Sequence, residues 1–464
     1  MSIMQKPNIL LFVPHDLGDY LGCYGHKSVR SPNIDALADG GVRFSQYFTP
    51  APECTPSRSS MMTGLYTHQN GLMGLSNFGW ALRPEVSHLA ALMSGAGYAT
   101  HHFGFQHETH ESPKTLGYQQ THPTDGSEAP SVCSALQDFL SGDEARNEPW
   151  LAHAGFFHVH RPWPENADFS ERDVEVPPYL PDTPIIRRDV ARFHQSIWDM
   201  DCAIGGVMDA LERYGLKEET LVIFTTDHGP AFPHAKATFY DPGICIPLIM
   251  RWPGTFGEGR CQDELLSNID FTPTLLDLCE IPMPDSLAGR SFLPLLTDQP
   301  YRERDAVYGA LYYDVSYDPM YYVRTRNHKY IRSFGVTDSD AAGADHRVLA
   351  THESGKWIRV DDLDVMTAPA WQEMQVDCSV PPAEELYDLE ADPLEMNDIA
   401  RDPDAEDILG TMRDLLRNMM AETDSPLPGD HVAPPPAQVE AARRFQPGKP
   451  DHEKKVSERW DRIV

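Results

Sequence analysis

The sequence predicts an α/β fold: a large mixed, mostly parallel sheet with helices on both faces, followed by a smaller C-terminal α+β subdomain. Three observations lead there. Short apolar runs alternate with helical patterns from residue 8 to about residue 295, as in a sheet buried on both sides. Ionisable residues gather just beyond those runs, at His15-Asp16, His107, His160 and Asp227-His228, where open α/β sheets bind their ligands. From about Tyr301 the texture changes to strands in which aromatic and basic residues alternate.

The first strand is expected at 9–13, the run Ile-Leu-Leu-Phe-Val. It is far shorter than the ~20 apolar residues of a membrane span. No small-residue cleavage site follows it, so no signal peptide is read and the expected location is cytoplasmic. Further strands are expected at 99–105, 150–156, 221–226 and 247–251, and helices at 34–39, 57–62, 86–93, 131–140, 190–214 and 272–278. Beyond them, 306–313 and 320–332 read as strands, 362–382 as acidic and irregular, and 405–422 as a helix. The expected divisions are therefore 1–300, 301–425 and a Pro-rich, extended tail at 426–464.

Composition narrows the function. With 38 Lys and Arg against 70 Asp and Glu the net charge is −32, which disfavours nucleic acid and anionic membranes as partners. Any anion-processing site must then make its own positive potential, and a small or terminal substrate is favoured over the interior of a polyanion. The acidity also serves solubility. The eight cysteines, Cys23, Cys54, Cys133, Cys202, Cys245, Cys261, Cys279 and Cys378, form no CxxC pair or zinc spacing. They read as reduced thiols, with Cys54 set apart by its context.

That context is Cys54-Thr55-Pro56-Ser57-Arg58, followed by Gly64-Leu65-Tyr66-Thr67-His68. Pro56 suits the first turn of a helix, so Cys54 is expected just before a helix N-terminus, where an anion is favoured. The run closely resembles the signature of type I sulfatases of the alkaline phosphatase superfamily. The resemblance extends from Pro7 to Glu422 and is most similar to the N-sulfoglucosamine sulfohydrolase (sulfamidase) branch. It implies that Cys54 is oxidised to formylglycine by a maturation enzyme, and that the hydrated aldehyde attacks sulfur.

The same resemblance implies the remaining roles. Arg58 holds the nucleophile oxygen and a sulfuryl oxygen. A divalent metal, calcium by the family's habit, is bound by Asp16, Asp227 and His228 with the modified Cys54. His15 stands where the family has an acid, either beside the ligands or as one of them; imidazole suits manganese or zinc better than calcium. His107 matches the histidine of Gly-Lys-x-His, which accepts the proton that lets sulfate leave, but Phe105 replaces the lysine. Gln106 and Glu108 are the neighbours considered for the lost contact. His160, with Pro162 two residues on, matches the His-x-Pro that faces the leaving group; His158 competes for that role, and Arg161 is a candidate anion contact. Lys236 binds sulfate and helps protonate the leaving group. Tyr240-Asp241-Pro242-Gly243 and the stretch Glu385-Leu386-Tyr387-Asp388-Leu389 with Asp392-Pro393-Leu394-Glu395 extend the likeness.

The expected activity is thus hydrolysis of a sulfate ester or sulfamide of a sulfated sugar or other small organic sulfate. Two alternatives stand beside it: a phosphodiester or phosphonate monoester hydrolase of the same superfamily, and a non-catalytic binder of sulfated ligands with Cys54 unconverted. The oligomeric state is open, a dimer being one expectation.

Overall fold

The central strand, β1 (Asn8–Val13), shows how the sequence builds the sheet. Its residues are all buried, and they alternate between two cores. Leu10 and Phe12 join the core that holds Val132, Leu136, Ile197 and Met200, whereas Ile9, Leu11 and Val13 join the one that holds Met61, Met62, Met93 and Leu275. A strand buried on both faces needs a continuous apolar run, and the sequence supplies one.

The computed structural model describes residues 6–147, 149–313, 317–334, 348–351, 357–360, 376–377, 382–426 and 434–438. Most of the acidic stretch 362–382 and of the tail 426–464 lies outside them, as does Cys378. Chain order gives β1, α1 (Pro32–Asp39), β2 (Val42–Phe44), β3 (Tyr47–Phe48), α2 (Cys54–Thr63), α3 (Thr67–Asn70), α4 (Leu89–Gly95), β4 (Ala99–Gly104), β5 (Gln120–His122), α5 (Ala129–Ser141), β6 (Trp150–Gly155), α6 (Pro184–Arg213), β7 (Thr220–Thr225), α7 (Asp241–Ile244), β8 (Leu248–Arg251), β9 (Arg260–Gln262), β10 (Leu266–Ser267), α8 (Phe271–Leu278) and α9 (Leu293–Leu296). The main sheet has eight strands in the order β5-β4-β6-β1-β7-β8-β2-β9. Only β8 runs against its neighbours, so the sheet is mixed and mostly parallel. Helices α1, α5 and α6 cover one face, α2, α4 and α8 the other.

A second, antiparallel sheet is formed by β11 (Val307–Tyr313), β12 (Tyr317–Arg324), β13 (His328–Ser333) and, beyond the small sheet of β14 (Val348–Thr351), β15 (Trp357–Val360) and β16 (Val376–Asp377), by β17 (Glu384–Asp388). Helix α10 (Glu406–Glu422) packs Leu409, Met412, Leu416 and Met420, spaced three and four apart, with Tyr308, Tyr321 and Tyr330 of that sheet. This sheet also grips the main body: Tyr322 Oη donates to Thr49 O (2.9 Å) and the Ala310 amide to Pro50 O (2.9 Å). Among the described residues the tail meets the body at its first residue, where Tyr321 Oη donates to Pro426 O (2.7 Å), and again further on. The Trp80 indole donates to Gln438 Oε1 (3.1 Å), and Pro435 packs over Gly79.

Three expectations need correction. The span 320–332 is two strands, because Thr325 closes a turn through its amide and hydroxyl to His328 (2.9 and 3.0 Å). The helix expected from 86 starts at Leu89, capped by His88 Nδ1, which accepts from the Ala90 amide. The helix expected from 190 starts at Pro184, after the Thr183 cap. No helix among the described residues is long and apolar enough to cross a membrane.

Candidate active site

Beyond the C-terminal ends of β1 and β7 the chain turns sharply and delivers His15-Asp16 and Asp227-His228 to one point. Asp16 adopts φ +54°, a left-handed conformation that Asp tolerates. Its amide donates to Asp227 Oδ1 (3.0 Å), which sets the two acids side by side. Helix α2 arrives from the other direction. It begins at Cys54, three residues earlier than expected, with Glu53 as its cap. Cys54 is therefore the first helical residue, and Pro56 sits two places further in, where its missing N–H still costs nothing.

All ten residues of α2 are buried, Arg58 completely so. A buried guanidinium needs partners. Its Nε donates to Asp227 Oδ2 (2.9 Å) and its Nη2 to Pro14 O (3.0 Å), while Nη1 is buried without a hydrogen bond. That last donor is available to an incoming oxygen.

Five side chains, His15, Asp16, Cys54, Asp227 and His228, each bring one donor atom to within 4.8 Å of one another, all buried. Cys54 Sγ lies 3.4 Å from His228 Nε2. His228 Nδ1 faces the Gly229 carbonyl (2.9 Å) and donates to it, which leaves the Nε2 lone pair aimed into the cluster. His15 Nδ1 lies 2.5 Å from Asp16 Oδ1 and 3.5 Å from Asp227 Oδ2. Two carboxylates and two imidazoles converging at a buried point fit a divalent cation, and the sulfur marks where an oxygen of a modified residue 54 would complete the set.

The electrostatics agree. Burial alone would push the Asp16 carboxyl up, but Lys236 and the surrounding imidazoles outweigh it and hold it well below the usual range. Asp227 is likewise held low against its burial, by His15, His228 and Arg58. Burial drives the Cys54 thiol well above its usual range, so at neutral pH it is no thiolate nucleophile. Burial also lowers His15 to about 4 and His107 to about 3, the latter helped by His15 and Arg58. Both are neutral imidazoles at pH 7, and His107 Nδ1 is buried without a hydrogen bond.

Lys236 reaches the same point from the loop after β7. Its Nζ donates to Asp16 Oδ2 (2.9 Å) and lies 3.5 Å from His160 Nε2. His160 Nδ1 is 2.6 Å from the Arg161 carbonyl, which fixes the proton there and turns Nε2 towards the lysine. His158, the competing residue, points elsewhere: its Nδ1 donates to Glu128 Oε2 (2.5 Å) at the start of α5. Arg161, read as a candidate anion contact, is instead held by both oxygens of buried Asp189 (3.0 and 2.5 Å) and stacked on Trp163.

At the family's lysine position, the Phe105 ring carries the Arg58 guanidinium 5.5 Å above its centroid and the His15 ring 5.1 Å away. Neither neighbour restores the lost cation. Gln106 spends its side chain on the Glu108 and Thr109 amides and the Thr109 carbonyl. Glu108 is a buried anion whose Oε2 accepts from the His107 amide (2.8 Å). It faces a cluster the sequence did not disclose, His88, His102 and His153 with Tyr118, whose residues lie far apart in the chain and carry no motif.

The comparisons with known proteins accord with this geometry. The Sulfatase family model matches residues 7–281, and the model described as N-sulphoglucosamine sulphohydrolase, C-terminal, matches residues 232–341. Human N-sulphoglucosamine sulphohydrolase is 29% identical over 466 residues, covering 90% of this chain and 91% of its own. An ulvan-active sulfatase of Formosa agariphila is 26% identical over 454 residues, covering 89% and 74%. A solved structure of a protein in complex with its substrate D-glucosamine-2-N,6-O-disulfate shares the fold with a TM-score of 0.69 at 19% identity, covering 91% of this chain and 99% of that one. The phosphonate monoester hydrolase of Agrobacterium radiobacter does so with 0.69 at 20%, covering 90% and 96%. The chain belongs to the sulfatase family, and it is a hydrolase of sulfate esters or sulfamides.

Proposed function

We propose that this sulfatase cleaves the S–O or S–N bond of a small or terminal sulfated sugar, or of another small organic sulfate, at the cluster around Cys54. One observation carries the reading: five buried donor atoms converge within 4.8 Å, with the cations of Arg58 and Lys236 on the two acids that face them. His15, Asp16, Asp227 and His228 would hold a divalent ion, calcium by the family's habit, with two imidazoles that also suit manganese or zinc. With that ion bound and residue 54 converted to formylglycine, the site gains a hydroxyl that is nucleophilic at neutral pH.

The chain's own residues supply the rest. Arg58, through Nη1, and Lys236 orient the sulfuryl oxygens and offset their charge. His160 and Lys236 stand together on the leaving-group side and give a proton to the departing oxygen or nitrogen. His107, kept neutral by burial, accepts the proton whose removal lets sulfate go. The net charge of −32 supports a small substrate. The N-sulfoglucosamine named for the human relative makes N-sulfated glucosamine the first sugar to try.

The test is turnover of an aryl sulfate, N-sulfated glucosamine and an aryl phosphate diester by protein co-produced with a formylglycine-generating enzyme. Mass analysis of the Cys54 peptide and of bound metal accompanies it. Faster hydrolysis of the sulfated compounds by aldehyde-containing protein is expected. Faster hydrolysis of the diester would favour the phosphonate-hydrolase reading, to which the two imidazoles and the absent lysine at Phe105 lend support. Aldehyde-containing, metal-loaded protein that turns over none of the three would sink the proposal.

A further inference from the structure

Two stretches of sequence lie outside the chemistry above: Tyr240-Asp241-Pro242-Gly243, just after the Lys236 loop, and Glu385 to Glu395 in the C-terminal part. The fold joins them. Asp241 receives Arg324 Nε (3.0 Å) and Nη2 (2.9 Å) from β12 and Lys329 Nζ (2.5 Å) from β13. Glu395 Oε2 accepts from the Asp241 amide (2.5 Å), and Glu395 Oε1 lies 2.7 Å from Lys329 Nζ as an ion pair. Lys329 is fully buried and Glu395 is 2% exposed. Above this group, Tyr240 Oη and Tyr387 Oη both donate to Glu385 Oε2 (2.7 Å each). The His234 ring stacks on Tyr240 at 3.9 Å, and His234 Nε2 donates to Leu394 O (2.9 Å).

Lys236 sits within this grip. Every residue from 230 to 240 is buried. The loop doubles back so tightly that a Cβ at Gly229 would lie 1.9 Å from Pro242 O, and one at Gly243 would lie 2.3 Å from Ala235 O. On either side of Lys236, His234 (φ +68°) and Ala237 (φ +61°) hold left-handed conformations that non-glycine residues rarely take. Such a backbone persists only where its surroundings over-determine it. The nucleophile's approach is held from both sides: Tyr322 and Ala310 of the C-terminal sheet bind Thr49 O and Pro50 O, and the Ala237 amide of the Lys236 loop donates to Pro52 O (3.1 Å), two residues before Cys54.

We infer that the Asp241–Arg324–Lys329–Glu395 cluster, with the His234–Leu394 bond, is a clamp by which the C-terminal sheet positions Lys236 over residue 54; Glu395 and His234 are positioning residues for the leaving-group step. The inference rests on the role proposed for Lys236. An error of about 1 Å in a reacting group costs on the order of a hundredfold in rate, so the clamp acts on kcat rather than on fold alone.

The test is a double-mutant cycle with an aryl sulfate, using E395Q, H234F and K236M. H234F keeps a ring on Tyr240 and removes the bond to Leu394, so it carries the test if E395Q folds poorly. In the presence of Lys236, each clamp variant is expected to lower kcat about ten- to a hundredfold with KM little changed. On the K236M background neither variant should lower it further. The deficit should also shrink for a phenol of low pKa, which needs no proton on leaving. Equal losses in both backgrounds, or unchanged kcat in both clamp variants, would overturn the clamp. Unchanged kcat in K236M alone would instead overturn the role of Lys236, and the clamp's purpose with it.

Discussion

Two buried ionic clusters lie at either end of the short stretch between Lys236 and Asp241, and they are built to opposite ends. In the clamp, two acids, Asp241 and Glu395, face two bases, Arg324 and Lys329, and each base lies on at least one acid. Such a group leaves no charge without an opposite partner. In the site, Asp16 and Asp227 also face two bases, Lys236 and Arg58, yet the imidazoles and the Cys54 sulfur converge on the same acids, and Arg58 Nη1 and His107 Nδ1 are left without hydrogen bonds. Charge balance alone does not tell the two apart. What separates them is convergence of five ligand atoms on one point beside a guanidinium nitrogen that makes no hydrogen bond, the combination expected where something else is to bind.

The contrast can be broken most sharply at residue 54. C54A should drop turnover by about 10⁴-fold or more, to background, with melting temperature almost unchanged, since the residue serves chemistry rather than packing. K329M should do the reverse in kind. It leaves Asp241 on Arg324 but strands Glu395 with the Asp241 amide as its remaining partner, and should cost about 3–5 kcal/mol of stability, read as a lowered Tm. A third probe is pH. Burial raises the Glu395 carboxyl to about 7 in the folded chain, outweighing Lys329. The folded state then holds this proton more tightly than the unfolded one. The stabilisation it gives is full below about pH 4.5 and is lost as pH rises through about 7. Compared with E395Q, the wild-type protein should therefore lose stability between pH 5 and 8, read as a falling Tm, by less than about 3 kcal/mol at the 1.4 kcal/mol of each pKa unit. The site's acids, held low, add stability above their ordinary range and lose it only in strong acid. The mildest probe is a chelator. It should cost wild-type protein about 2.7 kcal/mol of stability from a state at a hundred times Kd, read as a lowered Tm, and leave the Tm of D16N nearly unmoved. A chelator effect of equal size in both would mean that the ion sits elsewhere.

Much of this was legible in the sequence, and the boundary of legibility has a physical cause. The runs at β1, β4, β6 and β7 announced buried parallel strands, and the ionisable residues after them announced where a pocket would lie. The three-residue strands β2, β5 and β9 escaped notice because so short a run has no period to read. Within the site, Cys54, Arg58 and the Asp227-His228 pair stood out by their neighbours in the chain. The sequence favoured His160 over His158 by its spacing to Pro162, and the fold shows what separates them physically: one is tied to Glu128 and the other faces Lys236. The sequence could not pair Arg161 with Asp189, or Asp241 with Lys329 and Glu395. Those partners are separated by 28, 88 and 154 residues, and only the fold brings them together.

The tail's foothold at Trp80 offers a practical handle. Trp80 is 6% exposed, with its indole N–H on Gln438 and Gly79 roofed by Pro435. Trimming the chain after residue 426 would uncover that ring to water, and its emission should move to longer wavelength. The protein thus carries its own optical report on whether its last segment is seated.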